Sequence, residues 1–449
     1  MSVLDTARKA LGFAAATGVE QSEAFAQLGR SLRVKVYRQE VEELVSSTGS
    51  GVGIRVFSGG SVGYAYTSDL SDESLKAAAQ AAADAMSVTA PDEFAGLPEP
   101  AGEFSPLELY SPELAALPVA DKIAFAMRVE KAALGSDSRI SQVESATYSE
   151  GDSHIALANS LGFEHQFSET SCYSFLQAIA EQDGQMQTGI SFTTGRNLEQ
   201  MDAEATGREA AWRALSLLGA GQCASMSCPV VMDPFVTASV IGAIGSVLTG
   251  EAVQKKRSMF AGREGQRVAG ALVNLLDDGI HPDGLATAPF DGEGVPTRQT
   301  GLIKNGELQA FLYDTYSGRK DGRTSTGNGA RGSYRSQPRV SPTNLRLLGG
   351  SVSPGQMLAG VDLGFYVMDV TGMHSGVNPV SGDFSVGATG RLIRGGSLAE
   401  AVREVTIAGN LLDMLDTIKK IGNDNRWVPF GGSIHAPSIM IGQMTVSGK

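Results

Sequence analysis

Runs of alternating polar and apolar residues, separated by glycine turns, are the feature that most limits how this chain can fold. Two such runs are Gly51–Phe57 and Ser61–Thr67, and the intervening Ser58-Gly59-Gly60 is typical of a β-hairpin turn. The 449-residue chain contains 55 glycines, whereas charged residues make up 19% and aromatic residues 6%. This composition favours a turn-rich protein with many strands over a helical bundle.

The first half of the chain divides into two units that each combine a strand meander with a helix. In the first unit, Ser71 has the character of an N-cap for an alanine-rich helix that ends near Met86. A connector rich in proline and glycine, Pro91–Pro118, leads to the second unit, which ends with a helix over Ala203–Leu218. The predicted units are 1–118 and 119–221, and the second can pack with the first as one domain.

The third predicted region, residues 222–449, is rich in β-strands. An apolar helix over Pro234–Leu248 precedes short strands separated by glycine turns, including a hairpin turn at Asn305-Gly306. A helix is predicted over Asn410–Ile421 and a terminal strand over Ser438–Val446. The predicted fold class is therefore α+β: an N-terminal α/β region of meander-plus-helix units, followed by a β-rich C-terminal domain of barrel or sandwich type.

The net charge and the cysteine content indicate which kinds of partner and which cellular compartment suit this chain. The 36 Lys and Arg residues against 49 Asp and Glu residues give a net charge of −13, so the chain lacks the electrostatic footprint of a nucleic-acid binder. Its three cysteines, Cys172, Cys223 and Cys228, have no CxxC spacing and argue against a disulfide framework. The start Met1–Asp5 lacks the features of a signal peptide, and no apolar run reaches the roughly 18 residues of a membrane span. We expect a cytoplasmic protein without membrane contact.

The segment Gly250–Lys255 has the glutamate of a zinc-peptidase helix but no imidazole. A zinc peptidase uses neutral imidazoles to bind the ion and a carboxylate to take a proton from the bound water. Glu251 could be that base, but Lys255, Lys256 and Arg257 place positive charge where a divalent ion would have to bind. The alternative is that Glu251 lies near a helix end and makes a surface contact.

Two further segments are candidates for contact with a ligand or a partner. The loop Arg319–Arg339 carries six cationic residues and one acid, so it could bind an acidic peptide, a carboxylate or an acidic protein surface, or be a solvated basic loop. His374 lies in a glycine-rich loop that suits contact with a ligand or peptide. The candidate contact residues are Tyr316, Arg319, Asn328, Arg331, Arg335, His374, Asn378 and Asp383.

Three blocks of sequence occur in an order that goes beyond composition. They are Leu312–Lys320 with Ser325–Gly329, then Gly376–Ala388, then Glu404–Leu415. Together with the early strand Gly51–Arg55 they resemble the TldD/TldE peptidase family, also called PmbA or modulator of DNA gyrase, over nearly the whole chain. The resemblance implies a heterodimer in which the TldD-type subunit holds zinc or a similar metal through an HExxxH helix and a late cysteine.

Within that family the chain resembles the TldE type. Gly250 falls at the first histidine of the motif, Glu251 at the glutamate and Lys255 at the second histidine, and no cysteine follows Cys228. The resemblance therefore implies no catalytic residue, no metal ligand and no cofactor in this chain, with Glu251 as a vestige. It implies a non-catalytic subunit of a metalloprotease that cleaves unfolded or leader peptides, paired with a TldD-type subunit or with a second copy of itself.

Two other functions stay open from the sequence. One is a stand-alone peptidase with an unrecognised site, so that the sequence does not decide whether the chain is an enzyme by itself. The other is a binding protein that modulates DNA gyrase, although the net charge of −13 argues against direct contact with nucleic acid.

Overall fold

The computed structural model describes residues 2–100 and 102–449. Met1 and Ala101, which belong to the predicted unit 1–118, lie outside the described residues. The predicted fold class is confirmed: the described chain is a mixed α+β structure with a curled N-terminal sheet and a closed five-stranded barrel in the C-terminal region.

The N-terminal sheet is built from two successive α-β-β-β-α units. In chain order the elements are α1 (Val3–Ala15), β1 (Gln21–Tyr37), β2 (Glu40–Ser58), β3 (Ser61–Thr67), α2 (Asp72–Ser87), α3 (Pro112–Ala116), α4 (Val119–Leu134), β4 (Ile140–Asn159), β5 (Glu164–Gln182), β6 (Gln185–Gly195), a 3-10 turn (Leu198–Gln200) and α5 (Ala203–Ser216). The strand order is β3-β2-β1-β4-β5-β6, and all neighbours are antiparallel. Because β1 and β4 form the central pair, an approximate two-fold rotation relates the two units.

Local sequence signals account for the ends of several elements. Gly59 and Gly60 adopt φ values of 56° and 80° in the turn between β2 and β3, which confirms the predicted hairpin. The Ser71 hydroxyl accepts a hydrogen bond from the Ser74 amide and caps α2, also as predicted. The Asn305-Gly306 turn is confirmed as well, with both residues at positive φ.

The long strands of the second unit differ from the prediction. The sequence predicts separate strands over Ile140–Tyr148 and His154–Asn159, whereas β4 is continuous. The small polar residues between them, including Gly151 and Asp152, pair with β1 on one side and with β5 on the other. Pairing on both edges thus overrides a local composition that favours a turn.

Strand alternation assigns the two faces of the sheet to different neighbours. On β1, Ala24, Ala26 and Val34 point to one face and are buried under the helices, in alanine-rich contacts with α1 and α2 and in contacts with α4. Glu23 and Phe25 point to the opposite face, which packs against the C-terminal region. The interface between the two regions is therefore the second face of this sheet.

The C-terminal region contains the barrel and a second sheet. Its strands are β7 (Met226–Met232), β8 (Leu275–Asp278), β9 (Gln299–Lys304), β10 (Glu307–Leu308), β11 (Gly329–Ala330), β12 (Arg339–Val340), β13 (Asn344–Leu347), β14 (Leu363–Thr371), β15 (Asp383–Arg394), β16 (Ser397–Asn410), β17 (Ile418–Ile421), β18 (Arg426–Val428), β19 (Ser433–Ala436) and β20 (Ile439–Ser447). Its helices are α6 (Pro234–Val247), α7 (Gly250–Gln254), α8 (Thr315–Lys320), α9 (Pro354–Leu358), α10 (Met373–Gly376) and α11 (Leu411–Asp416). One sheet has the order β16-β15-β14-β7-β20-β17, and pairing of β16 with β20 closes its first five strands into the barrel. The other sheet has the order β10-β9-β8-β13-β19-β18, and α6 packs between the two sheets against β14 and β19.

The helix predicted over Asn410–Ile421 is wrong in its second half. Helix α11 ends at Asp416, and Ile418–Ile421 is strand β17, which pairs with β20. The β-branched residues Thr417 and Ile418 and the alternation that follows them suit an edge strand once β20 offers backbone partners.

The three cysteines are free thiols, and Cys172 and Cys228 are buried. Burial raises the pKa of Cys172 to about 12 and that of Cys228 to about 11, so neither thiol is a nucleophile at neutral pH. Across residues 2–100 and 102–449, no helix combines the length and the hydropathy that a membrane crossing would require.

Candidate functional site

The segment with the motif glutamate is a helix of its own, not a continuation of α6. Helix α6 ends at Val247, and Thr249 is extended, with φ −118° and ψ 147°. The Thr249 hydroxyl then accepts a hydrogen bond from the Ala252 amide and starts the short helix α7. Because of this break, the orientation of Gly250 and Glu251 is set by α7 and not by α6.

Gly250 occupies a position that has no room for a side chain. A Cβ atom there would lie 2.1 Å from Cε1 of Tyr313, far inside van der Waals contact. The Tyr313 ring is buried and packs in the C-terminal core. The Gly250 amide donates to the carbonyl of Leu312 at 2.8 Å, which holds the two segments together. An imidazole at position 250 would therefore have to displace the tyrosine.

Glu251 makes a surface ion pair within α7. Its Oε1 atom lies 2.6 Å from Nζ of Lys255, one helical turn later, and both side chains are about half exposed. This geometry corresponds to the surface contact considered for Glu251 from the sequence. Within the described ranges no group of three or more His, Cys, Asp and Glu side chains could hold a metal ion. The residues present thus do not fit a catalytic metal of the HExxxH type.

A groove of 520 Å³ lies over the outer face of α6. Its floor consists of small residues at helical spacing, Ser239, Ala243 and Ser246, while the larger residues of α6 point into the core. His374 and Phe430 stand at its walls. The groove is therefore lined mainly by small and apolar side chains.

Three of the predicted contact residues lie in the loop beside this groove. His374 is exposed on α10 and lines the groove. Asn378 caps the turn that follows, because its Oδ1 accepts the amides of Val380 and Ser381. Asp383 accepts hydrogen bonds from Asn410 and Ser381, which lower its pKa. The structure therefore brings His374 to the groove, with Asn378 and Asp383 shaping its loop.

The first part of the predicted basic loop contacts the connector of the N-terminal unit. The Tyr316 hydroxyl donates to Oδ2 of Asp92 at 2.7 Å. The Arg319 guanidinium donates to the carbonyl of Leu97 at 2.5 Å and to that of Phe94 at 3.3 Å. Arg335, in contrast, is exposed and lies over the ring of Tyr334.

Asn328 and Arg331 lie in the interior rather than on a basic surface. Asn328 is buried and donates to Oδ2 of Asp277 at 2.7 Å. The Arg331 guanidinium is buried in an ion pair with Glu23 of β1 and donates to the carbonyl of Gly292 at 2.6 Å. The positive charge that the sequence places in this loop is therefore partly neutralised by an acid about 300 residues earlier.

Four buried charges form one network across the interface between the two regions. The Arg55 guanidinium donates to both Glu23 carboxylate oxygens, at 3.1 and 3.0 Å, and to Oε1 of Glu293 at 3.4 Å. Glu23 also accepts from Arg331. Burial opposes ionisation of Glu23, but the two guanidinium groups outweigh it, and the pKa of Glu23 is lowered. We call Glu23, Arg55, Glu293 and Arg331 the interface ion network.

Asp291 lies at the edge of this network with a raised pKa. Burial, followed by the neighbouring Glu293 carboxylate, raises the pKa of Asp291 to about 8. Its carboxylate accepts the amides of Glu293, Val295 and Gly329 at 2.9, 3.0 and 2.7 Å. Gly329 permits this close approach, since a Cβ there would lie 2.9 Å from Glu293 Oε2 and 3.0 Å from Asp291 Oδ2.

Comparison with known proteins identifies the family over almost all of the chain. Residues 22–85 match domain 1 of the PmbA/TldA metallopeptidases, residues 112–218 match the central domain, and residues 225–448 match the C-terminal domain. The chain is 30% identical to the metalloprotease PmbA of Escherichia coli O157:H7, over 100% of its own length and 98% of that protein. The chain belongs to the PmbA/TldD metallopeptidase family.

Two solved structures share the fold of this PmbA/TldD family member. One is a Thermotoga maritima protein assigned as a candidate modulator of a DNA gyrase, with 28% identity and a TM-score of 0.89 over 98% of this chain and 99% of that one. The other is TldE from Thermococcus kodakarensis, with a TM-score of 0.91 over 98% of this chain and 99% of that one. At 22% identity, the second comparison shows the fold alone.

The interface ion network is the part of this family member that sequence reasoning missed. Arg55 lies in a segment that carried the family resemblance, but no local pattern linked it to Glu23 or to Glu293. One signal was available: Arg55 lies between Ile54 and Val56 in an alternating strand and therefore faces away from the helices. A charged residue on a second face that is also buried requires a partner of opposite charge.

The raised pKa of Asp291 predicts that the chain loses stability as the pH rises. An acid whose folded-state pKa lies near 8 and whose ordinary pKa is 3.8 contributes stability at low pH, and this contribution disappears as the pH rises through about 8. The urea midpoint of the wild-type chain should therefore fall between about pH 6 and about pH 9. In Asp291→Asn this fall should be much smaller. The side-chain NH2 group of asparagine cannot accept the hydrogen bond from the Gly329 backbone N–H, so we expect the variant to be about 1–3 kcal/mol less stable than wild type at pH 6.

Asp137→Asn is the matched control for that measurement. Hydrogen bonds from Arg139 lower the pKa of the partly exposed Asp137 to about 2, so its titration falls far below the tested range. The control should keep the wild-type slope between the two pH values. An Asp291→Asn chain with the same slope as wild type would contradict the assignment of the proton to this carboxyl.

Proposed function

We propose that this chain is the non-catalytic, TldE-type subunit of a cytoplasmic metalloprotease, paired with a TldD-type subunit that supplies the metal. The complex would cleave unfolded or leader peptides. One observation carries the proposal. The chain has all three domains of the family, but at position 250, where the motif has its first histidine, the Tyr313 ring leaves no room for a side chain. The motif glutamate, Glu251, forms an ion pair with Lys255. A carboxylate in a surface ion pair, without a metal-bound water beside it, has no nucleophile to activate.

The groove over α6 supports a role beside a catalytic partner. Its small-residue floor allows another backbone to approach, and the neighbouring His374 loop offers polar groups at its rim. An extended peptide held in this way is recognised mainly through its backbone, which suits substrates of varied sequence. The groove reaches Ser246 and Val247 in the last turn of α6, three residues before the segment that, in a TldD-type subunit, would carry the metal.

The test compares metal content and peptide hydrolysis of the chain alone, of a TldD-type subunit alone and of their mixture. For the chain alone we expect no bound zinc and no hydrolysis of a labelled unfolded peptide above background. In the mixture we expect hydrolysis and a stable complex, since the partner supplies the metal and this chain contributes the groove over α6 to peptide binding. Mass measurement of the mixture gives the stoichiometry at the same time.

Glu251→Gln is the control variant for this experiment. Because Glu251 is assigned no catalytic role, the variant should support the mixture as well as the wild-type chain does. Chelator-sensitive hydrolysis by the chain alone, lost in Glu251→Gln, would contradict the proposal and favour a stand-alone peptidase. A mixture no more active than the TldD-type subunit alone would also contradict it.

A further inference from the structure

The segment that contains and follows α7 carries positive charge on an otherwise acidic chain. Between Glu251 and Arg267 there are five cationic residues and two acids, whereas the whole chain has a net charge of −13. Both acids are already engaged in ion pairs, Glu251 with Lys255 and Glu264 with Arg323. The segment therefore keeps a surplus of positive charge.

Lys256 and Arg257 have no acidic partner within the chain. Both side chains are exposed. Among the described residues, neither side chain forms an ion pair or a hydrogen bond, in contrast to Lys255 directly before them. We call Lys256 and Arg257 the cationic pair. Its two charges are not neutralised by any ion pair and are open to a ligand.

Lys256 also holds a backbone conformation that glycine usually takes. Its φ is 55°, and it directly follows the C-cap residue of α7. The Lys256 amide donates to the carbonyl of Val253 at 3.0 Å and the Arg257 amide to that of Ala252 at 2.7 Å, the Schellman pattern of a helix end. Stability alone would favour glycine at this position. Strained backbone of this kind is concentrated at sites that bind ligands.

The cationic pair lies at one end of the groove over α6. The Ser258 hydroxyl, directly after Arg257, donates to the carbonyl of Val247 at 2.6 Å. Val247 and Met259 both line the groove. Since Arg257 precedes Met259 by two residues, their Cα atoms are at most about 7 Å apart.

The groove itself offers no charge to compete with this pair. Of the described residues that line it, none is Asp, Glu, Lys or Arg, and only His374 titrates. From Ser239 to Ser246 the floor extends about 10 Å along α6, which matches about three residues of an extended peptide. The C-terminal end of a helix is partly negative, so an acid bound beyond Val247 requires cations there.

We propose that the cationic pair binds the carboxylate of an aspartate or glutamate that adjoins the part of a peptide held in the groove. The preferred peptide has an acidic residue beside about three small or apolar residues, and the guanidinium and ammonium groups supply charge-assisted hydrogen bonds to the acid. The apolar groove that continues from the pair favours a peptide over a nucleic acid. This inference names the substrate class of the peptide site in the proposed function and rests on that function.

The test measures binding of two short labelled peptides to the full chain by fluorescence anisotropy. The peptides are identical except that a stretch of apolar residues is followed by glutamate in one and by glutamine in the other. The wild-type chain should bind the glutamate peptide at least about threefold more tightly, and high salt should remove this preference. Lys256→Gln/Arg257→Gln should bind both peptides equally. Lys256→Glu/Arg257→Glu should instead prefer a peptide with lysine at that position.

Lys76→Gln/Lys131→Gln is the matched control, because it removes two exposed cations from α2 and α4, which cover the other face of the N-terminal sheet. It should keep the wild-type preference. Ala243→Trp, which fills the groove floor, should weaken the binding of both peptides. Lys256→Gly should reduce the preference while the urea midpoint stays unchanged or rises, which separates binding from folding.

A wild-type chain that binds neither peptide, or both equally, would overturn the proposal, as would an unchanged preference in Lys256→Gln/Arg257→Gln. Undiminished binding by Ala243→Trp would place the peptide outside the groove and also overturn it. A single-stranded oligonucleotide that binds through the pair and is not displaced by the glutamate peptide would favour nucleic acid instead. Equal binding together with hydrolysis in the mixture contradicts this inference alone, whereas selective binding without hydrolysis contradicts the proposed function.

Discussion

Replacing Arg55 with methionine is expected to lower the free energy of unfolding by about 3–5 kcal/mol. The guanidinium is the only group that contacts both Glu23 and Glu293 within the interface ion network, among the described residues. Its loss leaves two buried carboxylates with a single remaining guanidinium, that of Arg331. An intact buried ion pair adds little to the free energy of unfolding. Removing one partner is strongly destabilising, because the other charge stays buried without compensation.

The same substitution should also uncouple the two regions of the chain. Glu23 and Arg55 belong to the N-terminal sheet, whereas Glu293 and Arg331 belong to C-terminal loops, so the network joins the regions directly. The two tryptophans report on the regions separately, because Trp212 is in α5 and Trp427 is in β18. Urea unfolding of variants that keep one tryptophan each should show transitions that coincide in wild type and separate in Arg55→Met.

Arg33→Met is the matched control for this experiment. Arg33 lies on β1 and forms an ion pair with Glu43 at 2.7 Å, but its side chain is more than half exposed. An exposed pair of this kind contributes at most about 1 kcal/mol. If Arg55→Met destabilised the chain no more than Arg33→Met, the interface ion network would not hold the two regions together.

The sequence predicts the elements of this fold better than it predicts how they meet. The turn at Gly59-Gly60 and the cap at Ser71 depend on neighbouring residues, and both are found where the local chemistry places them. The continuity of β4 depends on pairing with strands on both sides, whereas its polar middle by itself predicts two separate strands. Local signals define element ends, whereas pairing partners define element lengths.

The same distinction explains the outcome at the candidate site. The absence of imidazoles at Gly250 and Lys255 can be read from the sequence, and the ion pair of Glu251 follows from helical spacing. The ring that fills position 250 comes from Tyr313, and no local pattern connects the two segments. The sequence places Arg331 in a basic loop, because the acid that neutralises it, Glu23, is remote in sequence.

Restoring the two histidines of the motif is expected to destabilise the chain without creating a metal site. In Gly250→His/Lys255→His, the Cβ at position 250 would overlap the Tyr313 ring, and the ring or helix α7 must move. Adding methylene groups to a packed core typically lowers the free energy of unfolding by about 1–3 kcal/mol. An imidazole is larger than a methylene group, so we expect a loss of stability of at least this size. Lys255→His alone should change the stability by less than about 0.5 kcal/mol, since Lys255 is exposed.

Alanine substitutions separate the steric effect from the chemistry of histidine. Gly250→Ala should lower the urea midpoint, whereas Gly12→Ala in α1 should leave it unchanged or raise it, since a Cβ at position 12 has nothing within 4 Å. In a Tyr313→Ala background the cost of Gly250→Ala should largely disappear, which a double-mutant cycle measures directly. If Gly250→His/Lys255→His instead bound one zinc ion tightly at wild-type stability, Tyr313 would be a movable cover over a latent metal site.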